Sequence, residues 1–401
     1  MNSRLEKLQE YPFQKLKQLL AGIEPPIGKE RIMLSLGEPK HEPPSFIHDI
    51  LATGGNLLSG YPLTRGEENL RESICLWLSR RFSISQDLLD PAQHVLPVSG
   101  SREAIFSFIQ AAVDRTSHAS ARVVMPNPFY QIYEGATIMA GATPYFLNNT
   151  ETNNWLPQLD KVPESVWQDT QLLILCSPDN PTGSVIPIDI YREVLELADR
   201  YNFIVAADEC YSELYRDENK PPAGLLQVAA AEGRTGFERC IVFHSLSKRS
   251  NLPGLRSGFV AGDSNIINAY FKYRTYHGCV PNRLTQAISV VAWDDDEHVI
   301  RNRAVYRDKF NTVIGILDPV MKLNNPPAGF YLWPETPVNE EEFSRSLFLN
   351  ENVMTLPGTY LARDTVSGNP GKNRVRIALV AELDECIESA ERIREFITEK
   401  M

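Results

Sequence analysis

The sequence lacks long apolar runs and an excess of positive charge. No uninterrupted apolar stretch approaches the ~20 residues of a membrane-spanning helix, and the N-terminal MNSRLEKLQEYPF lacks the apolar core of a signal peptide. The formal net charge is −11, which argues against non-specific binding to nucleic acid or anionic lipid, because such binding needs clustered Lys and Arg. We therefore expect a cytoplasmic protein with no nucleic-acid partner and no membrane partner.

Metal and disulfide patterns are also missing. The six cysteines form no CxxC pair and no zinc-like spacing, and no two histidines have the spacing of a metal site. We expect buried free thiols in a reducing compartment, and no metal. The cysteines are Cys75, Cys176, Cys210, Cys240, Cys279 and Cys386.

What is present indicates an α/β protein of more than one domain. A length of 401 residues and a hydrophobic content of 43% predict two domains with ample core. Short apolar runs alternate with amphipathic stretches, which predicts a mostly parallel sheet covered by helices on both faces. The predicted strands are Val95–Val98, Arg122–Met125, Thr143–Leu147, Leu172–Cys176, Phe203–Ala207 and Cys240–His244.

The pattern changes from about Asp294 onward. A long helical stretch, a Pro/Gly-rich segment, a helix, a strand over Arg374–Leu379 and a final helix over Leu383–Lys400 predict a smaller α+β unit. We predict an N-terminal segment over 1–44 that packs with the small domain, a large domain over 45–293 and a small C-terminal domain over 294–401.

Polar clusters follow five of the predicted strands. In a parallel sheet, ligands bind beyond the carboxyl ends of the strands, so these clusters predict a functional site at one edge of the sheet. The clusters are SGSREA after Val98, NPFY after Pro126, SPDNPTG after Cys176, DECYSELY after Ala207 and SLSK after His244.

The segment SLSKRSNLPGLRSG carries the strongest chemical pattern. A lysine that forms an imine must be partly neutral at working pH, which requires desolvation or a cationic neighbour. Phosphate is bound by hydroxyl donors and by planar guanidinium groups. Ser245, Lys248 and Arg256 supply all three groups within this one segment, although a basic surface turn is the alternative.

This segment resembles the lysine signature of the class I/II aminotransferases, the fold-type I group that uses pyridoxal 5'-phosphate (PLP). The resemblance covers nearly the whole chain, with the motifs in the family's order. It implies PLP as cofactor and a mostly parallel seven-stranded sheet with helices on both faces, plus a smaller α+β domain. It also implies that Lys248 is the Schiff-base lysine and the proton shuttle, and that Ser245 and Arg256 bind the cofactor phosphate.

Three further residues match the family's ring-binding positions. A carboxylate such as Asp208 can keep the pyridine nitrogen protonated, which makes the ring an electron sink, although an Asp after a strand also often caps a helix. Tyr211 resembles the tyrosine that donates to the cofactor's phenolic oxygen. Asn180, in the NPTG turn, matches the asparagine that binds the same oxygen, and we assign it to both cofactor and substrate binding.

Two clusters after strands extend the resemblance. Gly100, Ser101 and Arg102 open a helix, and helix N-termini bind phosphate through free N–H groups. The resemblance implies that this turn cradles the phosphate. Arg102 stands where relatives often have Thr, Lys or Gln, so it either contacts the phosphate or points outward. Tyr130 matches the aromatic that stacks on the pyridine ring, with Phe129 as its rival.

The resemblance also implies a homodimer and a substrate clamp. Tyr61 resembles the tyrosine that reaches the phosphate in the neighbouring subunit, although a core tyrosine is the alternative. Arg376 resembles the arginine that binds the substrate α-carboxylate, a contact that contributes about 1.5–3 kcal/mol. Arg374 shares the predicted strand face and is its rival. Gly37 matches the glycine whose N–H approaches the same carboxylate.

Three stretches resemble the proteobacterial N-succinyl-L,L-diaminopimelate aminotransferases. This resemblance implies that an amino group moves from the succinylated substrate to 2-oxoglutarate, which gives glutamate, in lysine and cell-wall precursor biosynthesis. In GEPKH, Lys40 and His41 follow Gly37 and could meet a distal carboxylate such as the succinyl group; an exposed loop pair is the alternative. The stretches are LQEYPFQKLKQLL, LSLGEPKHEPPSFI and GYPLTRGEENLRESICLWLSRRF.

Other functions stay open at this point. Another class I/II transaminase, acting on aspartate, alanine or aromatic amino acids, would share every cofactor residue, and so would a PLP β-lyase. An effector-sensing domain of a transcription regulator would require a DNA-binding module, and the first 90 residues show no basic helix-turn-helix pattern.

Overall fold

The computed structural model describes residues 1–116, 120–278, 280–323 and 325–401. The helices are α1 (Pro12–Leu19), α2 (Phe46–Thr53), α3 (Glu68–Phe82), α4 (Ser101–Ala112), α5 (Ile132–Ala140), α6 (Glu164–Asp169), α7 (Ile188–Tyr201), α8 (Leu225–Ala231), α9 (Leu246–Arg249), α10 (Ser264–His277), α11 (Arg283–Asp294), α12 (Glu297–Leu317), α13 (Glu340–Glu351) and α14 (Leu383–Lys400). The strands are β1 (Ile32–Met33), β2 (Val95–Val98), β3 (Arg122–Asn127), β4 (Thr143–Asn148), β5 (Thr170–Cys176), β6 (Ile204–Asp208), β7 (Cys240–Ser245), β8 (Gly258–Gly262), β9 (Tyr331–Leu332), β10 (Val353–Met354), β11 (Leu356–Pro357) and β12 (Val375–Ala378).

Seven of these strands form a large, mostly parallel sheet. Their order is β2-β8-β7-β6-β5-β3-β4, and β8 alone runs antiparallel to its neighbours. Alternate residues of β5 enter different apolar cores: Leu173 and Leu175 pack in one, and Leu172 and Ile174 in the other. Both faces of the sheet are therefore buried, which explains the continuous apolar runs in the sequence. The predicted α/β fold is confirmed.

Each predicted strand of the large sheet is present, with ends that differ by two residues or fewer. The seventh strand, β8, was not delimited by the sequence pattern. Its sequence, GFVAG, begins and ends with glycine because β8 lies very close to β7. A Cβ at Gly258 would lie 2.3 Å from the carbonyl oxygen of His244, and a Cβ at Gly262 would lie 1.9 Å from that of Cys240.

The C-terminal part of the chain forms a third core. Strands β11, β12 and β9 make a small antiparallel sheet, and α12, α13 and α14 pack on it around Phe310, Leu347 and Ile393. The N-terminal segment joins this part: β1 pairs with β10, and Leu16 of α1 packs with Trp333. The domain boundaries at 44/45 and 293/294 stay predictions.

The fold brings the carboxyl ends of β2, β3, β5, β6 and β7 to the same edge of the sheet, because these strands are parallel. Across the described ranges, no helix combines the length and apolar character that a bilayer crossing requires. The five described cysteines are buried free thiols, and Cys279 lies outside the described residues.

Candidate active site

A cavity of about 350 Å³ lies at this edge of the sheet. Strand-end residues form one part of its wall, and residues of the N-terminal segment and of the small sheet complete it. Eleven residues predicted from the sequence line the cavity: Gly37, Ser101, Arg102, Tyr130, Asn180, Asp208, Tyr211, Ser245, Lys248, Arg256 and Arg376.

Lys248 lies on the short helix α9, directly after β7. The helix begins there because Ser245 has extended backbone angles and its Oγ accepts a hydrogen bond from the N–H of Ser247 at 3.1 Å, which is a typical N-cap. The chain therefore turns sharply at the sheet edge and presents the lysine side chain to the cavity.

The ammonium group of Lys248 has no carboxylate partner among the described residues. Its Nζ donates to the carbonyl oxygen of Gly37 at 2.7 Å and lies 5.3 Å from the centre of the Phe330 ring. Burial lowers the pKa of Lys248 to about 8, and the guanidinium groups of Arg376 and Arg256 act in the same direction. A substantial fraction of Lys248 is therefore neutral near physiological pH, as a nucleophilic amine requires.

Asp208 ends β6 and is 6% exposed. Its carboxylate accepts a hydrogen bond from the hydroxyl of Tyr133 at 2.7 Å and one from the N–H of Cys210 at 3.3 Å. A buried carboxylate needs such donors, and here they fix its orientation toward a cavity that it also lines.

A second cluster is suited to an anion. Gly100 caps α4 with φ +97°, and a Cβ there would lie 2.1 Å from the guanidinium of Arg256. Ser101 begins α4, whose free N–H groups and dipole favour negative charge. Arg256 donates to Glu103 at 2.7 Å and lines the cavity beside Ser101. The missing side chain at Gly100 thus leaves room for Arg256 at the helix N-terminus.

Arg102 and Tyr130 contact each other at the cavity wall. The Nε of Arg102 donates to the hydroxyl of Tyr130 at 2.7 Å, and Nη2 donates to that of Tyr11 at 3.3 Å. Phe129, the alternative to Tyr130, is 1% exposed and packs against Phe146 with 5.2 Å between ring centres. Tyr130 rather than Phe129 therefore faces the cavity.

Arg376 and Asn180 form a polar pair in the cavity wall, contributed by β12 and by the turn after β5. Arg376 donates to the Oδ1 of Asn180 at 2.9 Å and to the carbonyl of Ser35 at 2.7 Å. Its Nε is buried and has no hydrogen-bond partner among the described residues. Its guanidinium carbon lies 4.5 Å from the centre of the Tyr331 ring. This guanidinium is therefore oriented and still has a donor to offer.

Arg374, the rival of Arg376, lies outside the cavity lining. It donates to Glu151 at 2.8 Å and to the carbonyl of Trp333 at 3.1 Å, and it covers the ring of Trp155. Its charge is already paired and its stem is packed, so Arg376 is the better candidate for an anionic ligand.

Tyr211 and Tyr331 contact each other through their hydroxyl groups at 3.1 Å. Burial raises the pKa of Tyr211 well above its usual range, so its hydroxyl keeps its proton and can donate. Gly37 packs directly on this pair: a Cβ at Gly37 would lie 1.9 Å from the Tyr331 hydroxyl oxygen. Only glycine fits at this position without displacing the tyrosine.

Three predicted residues are absent from the cavity lining of the single chain: Gly100, which lies directly behind Arg256, and two residues that lie farther away. Tyr61 is 100% exposed, and Lys40 pairs with Glu385 at 3.5 Å. His41, which was expected near a distal carboxylate of the substrate, instead contacts Asn302 and Lys309 through its ring nitrogens. Their predicted roles depend on a partner chain or on bound substrate.

Three tyrosines of the site were missed. Tyr133 holds Asp208, Tyr331 contacts Tyr211, and Tyr11 contacts Arg102. Tyr331 lies in the apolar stretch GFYLW, where an aromatic residue usually belongs to the core, and neither Tyr11 nor Tyr133 stands in a polar cluster after a strand.

Comparison with known proteins places this arrangement in a family. A family model described as "Aminotransferase class I and II" matches residues 29–393. The chain is 30% identical over 397 residues to an LL-diaminopimelate aminotransferase of Nitratidesulfovibrio vulgaris, with 97% of each protein covered.

Solved structures agree with this match. An aminotransferase from Neisseria meningitidis superposes with a TM-score of 0.93 and 45% identity, over 99% of this chain and 100% of the other. A probable N-succinyldiaminopimelate aminotransferase from Thermus thermophilus superposes with a TM-score of 0.82 and 27% identity, over 96% of this chain and 99% of the other.

Proposed function

The chain belongs to the class I and II aminotransferases, which depend on pyridoxal 5'-phosphate, and from this premise we propose that it is a succinyldiaminopimelate transaminase. It interconverts N-succinyl-L,L-2,6-diaminopimelate and 2-oxoglutarate with N-succinyl-2-amino-6-oxopimelate and L-glutamate, in lysine and diaminopimelate biosynthesis. The observation that carries the transaminase chemistry is Lys248, a lysine of lowered pKa that faces the same cavity as Asp208 and Arg376. The choice of substrate is supported by the three sequence stretches and by the name of the Thermus relative.

A second candidate substrate is LL-diaminopimelate itself, which the name of the Nitratidesulfovibrio relative favours. The two candidates differ in charge at the end distant from the reacting carbon. LL-diaminopimelate carries an ammonium and a carboxylate there, whereas the succinylated compound carries two carboxylates and no ammonium. An aminotransferase that discriminates between these two substrates must therefore respond to the charge at the end of the substrate that lies far from the cofactor.

The residues of the cavity fit PLP. The amine of Lys248 can bond to the cofactor aldehyde, and Asp208 offers a buried carboxylate to the pyridine nitrogen. Gly100, Ser101 and Arg256 form the anion cluster into which we place the phosphate, and the close approach of Arg256 to Gly100 leaves no room for a side chain there. When bound, the cofactor supplies an electron sink for the carbanion at the substrate Cα.

Other side chains complete the proposed cofactor site. Tyr211 would donate to the phenolic oxygen of the cofactor, and Asn180 would contact the same oxygen. Tyr130 would stack on the pyridine ring, and Arg102 would orient Tyr130 by donating to its hydroxyl. Ser245, the N-cap of α9, would add a hydroxyl to the phosphate site.

Substrate binding and proton transfer follow from the same geometry. Arg376 receives the α-carboxylate, assisted by Asn180 and by the backbone N–H of Gly37, and this contact fixes the Cα–H bond in one orientation. The neutral amine of Lys248 would act as the general base that takes the proton from the substrate Cα and as the acid that gives it up again. General base catalysis of this kind contributes about 10²–10⁴ in rate.

Two predicted roles require more than the single chain. We propose a homodimer with shared active sites in which Tyr61 reaches the cofactor phosphate bound by its partner, which is consistent with its full exposure. We also propose that Lys40 leaves Glu385 and meets the succinyl carboxylate. Lys40→Ala should then raise KM for the succinylated substrate more than for glutamate, and equal changes would exclude this role.

A substrate panel tests the proposed function. Reconstituted protein is titrated with each amino acid while the visible band of the bound cofactor, expected at roughly 420 nm, is followed and oxo acids are assayed. We expect kcat/KM for N-succinyl-L,L-diaminopimelate to exceed that for LL-diaminopimelate at least about tenfold. Preference for LL-diaminopimelate would favour the second candidate. Preference for aspartate, alanine or aromatic amino acids, or release of ammonia without 2-oxoglutarate, would overturn the proposal.

A further inference from the structure

Asn302 of α12 contacts the main chain of the helix that carries Lys248. Its Nδ2 lies 3.4 Å from the carbonyl oxygen of Lys248 and 3.4 Å from that of Arg249. These are the last carbonyls of α9, and the final carbonyls of a helix lack partners within the helix. Asn302 is 6% exposed, so water gives it little competition for these contacts.

The contacts of Asn302 fix the orientation of its amide. Two backbone carbonyls can only accept hydrogen bonds, so the atom that faces them must be the NH2 group. The oxygen Oδ1 then faces the other side, where it accepts from the Nδ2 of Asn251 at 2.9 Å and lies 3.1 Å from the Nδ1 of His41.

This orientation also fixes the tautomer of His41. Because Oδ1 of Asn302 is an acceptor, Nδ1 of His41 must carry the proton. Nε2 then carries the lone pair, and it contacts the ammonium of Lys309, which can only donate. Burial and the ammonium of Lys309 both lower the pKa of His41, which agrees with a neutral ring. The ring also packs on Tyr306, with 4.8 Å between centres.

Lys309 is anchored in turn beside the small sheet. It is 0% exposed, and its ammonium also donates to the carbonyl of Ala381, which follows shortly after β12. A single directed chain of hydrogen bonds therefore runs from Lys309 through His41 and Asn302 to the main chain of Lys248.

The segment that contains His41 also contacts the side-chain end of Lys248. The carbonyl of Gly37, four residues before His41, accepts from the ammonium of Lys248 at 2.7 Å. The main chain of Lys248 is thus held through Asn302 and His41, and the tip of its side chain is held by Gly37 of the same short segment as His41.

We propose that Asn302, oriented by the neutral His41, is a positioning residue that fixes Lys248 relative to the cavity. This inference rests on the proposed role of Lys248 but not on the identity of the substrate. Asn302 and His41 touch neither the cavity nor the reacting atoms, so they act through the placement of the amine. A small misplacement of a reacting group can cost about 10²-fold in rate.

Two variants and two controls test this role. Asn302→Leu removes both the donor and the acceptor, and His41→Phe keeps the ring on Tyr306 but removes both nitrogens. His41→Gln retains a donor and an acceptor and serves as the conservative rescue. Arg301→Gln changes the neighbouring residue on α12, whose side chain is 69% exposed.

The measurements use the cofactor-loaded protein and glutamate alone. The rate of the glutamate-driven change in the visible band should fall about 10–100-fold in Asn302→Leu and His41→Phe, with little change in the half-saturating glutamate concentration. The pH midpoint of the visible band should move by about half a unit or more. His41→Gln should recover most of the rate, and Arg301→Gln should match the unmodified protein.

Unchanged rates and an unchanged pH midpoint in both variants, with only a lower Tm, would show that the network is merely structural and would overturn the proposal. Recovery in His41→Gln separates lost positioning from general unfolding. A protein that responds to glutamate but not to the succinylated substrate would contradict the proposed substrate. The comparison of the Asn302 and His41 variants with glutamate would still test the positioning role.

Discussion

At the scale of single residues, two side chains of the same type have different roles because their surroundings differ. Arg374 and Arg376 share a residue type and are two positions apart, and the sequence alone leaves both open as the clamp. The structure pairs Arg374 with Glu151, whereas Arg376 lines the cavity with an unpaired Nε. Period-two spacing predicts a shared face, but β12 begins only at Val375, so Arg374 lies outside the regular strand.

The two arginines allow a matched test. Arg376→Lys keeps a positive charge but loses the planar fork that binds a carboxylate in two places. We expect kcat/KM for glutamate to fall about 10–100-fold, the equivalent of roughly 1.5–3 kcal/mol. Arg374→Lys should leave kcat/KM within about twofold and lower Tm instead, because Arg374 packs on Trp155. Equal losses in the two variants would contradict the assignment.

The pKa of Lys248 predicts how fast the cofactor-free protein captures PLP at different pH. Only the neutral amine attacks an aldehyde, and burial lowers the pKa of this amine to about 8. The capture rate should therefore rise with pH, pass its midpoint near pH 8 and level off above it. Stopped-flow absorbance measures this directly. A rate that keeps rising to pH 10, as for an ordinary exposed lysine, would show that Lys248 is not desolvated.

Some residues of the site could not be predicted from single-residue patterns. Asp208, Lys248 and Asn180 stand in polar clusters after strands, where the sheet rule identifies them. Tyr133 and Tyr331 stand in apolar surroundings and gain a polar role only through a partner distant in sequence, at a separation of 75 residues for Tyr133 and 120 for Tyr331. A linear pattern does not contain such contacts.

At the scale of elements, the N-terminus of α4 has a backbone conformation and an open space that suit an anion-binding site. Gly100 has φ +97° and no side chain, and both features are needed for the approach of Arg256. The helix was predicted from its amphipathic spacing, and the strand that precedes it from its short apolar run. β8 was not delimited, since the glycines at both of its ends suggest a turn.

Gly100→Ala should weaken the retention of PLP. The new methyl group would displace the Arg256 guanidinium, which lies 2.1 Å from the Cβ position, in addition to the backbone strain at positive φ. We expect Kd for PLP to rise at least about tenfold, since a charged hydrogen bond contributes about 1.5–3 kcal/mol. Gly28→Ala is the control, because Gly28 has φ +96° but open space around its Cβ position. If both variants bind PLP equally well, the cluster does not hold the phosphate.

At the scale of the whole molecule, the proposed dimer explains an exposed surface. Tyr61 at 100%, Leu63 at 63% and Leu58 at 60% are large apolar side chains close in sequence that remain exposed in the single chain. Exposed apolar patches of this kind often mark contacts between subunits, so we predict that two copies pair through this region.

Mixing two inactive variants tests the shared site. Tyr61→Ala lacks the tyrosine given to the partner, and Lys248→Ala lacks the lysine of its own site. In a mixed dimer, the site of the Tyr61→Ala chain receives an intact tyrosine from the other chain. Random exchange should restore about a quarter of the sites in a twofold-symmetric dimer. No recovery, despite mixed dimers seen by native mass spectrometry, would show that Tyr61 does not act across an interface.

All the proposed chemistry depends on Lys248 as the residue that forms the covalent bond to PLP at the edge of the large sheet. Borohydride reduction of the reconstituted protein converts that bond into a stable one, and peptide mass spectrometry then locates the attached pyridoxyl group. We expect one label per chain, on the peptide that contains Lys248, and we expect that treatment with excess glutamate before reduction abolishes this label. A label on any other lysine, or no label on a protein that catalyses amino transfer, would contradict it.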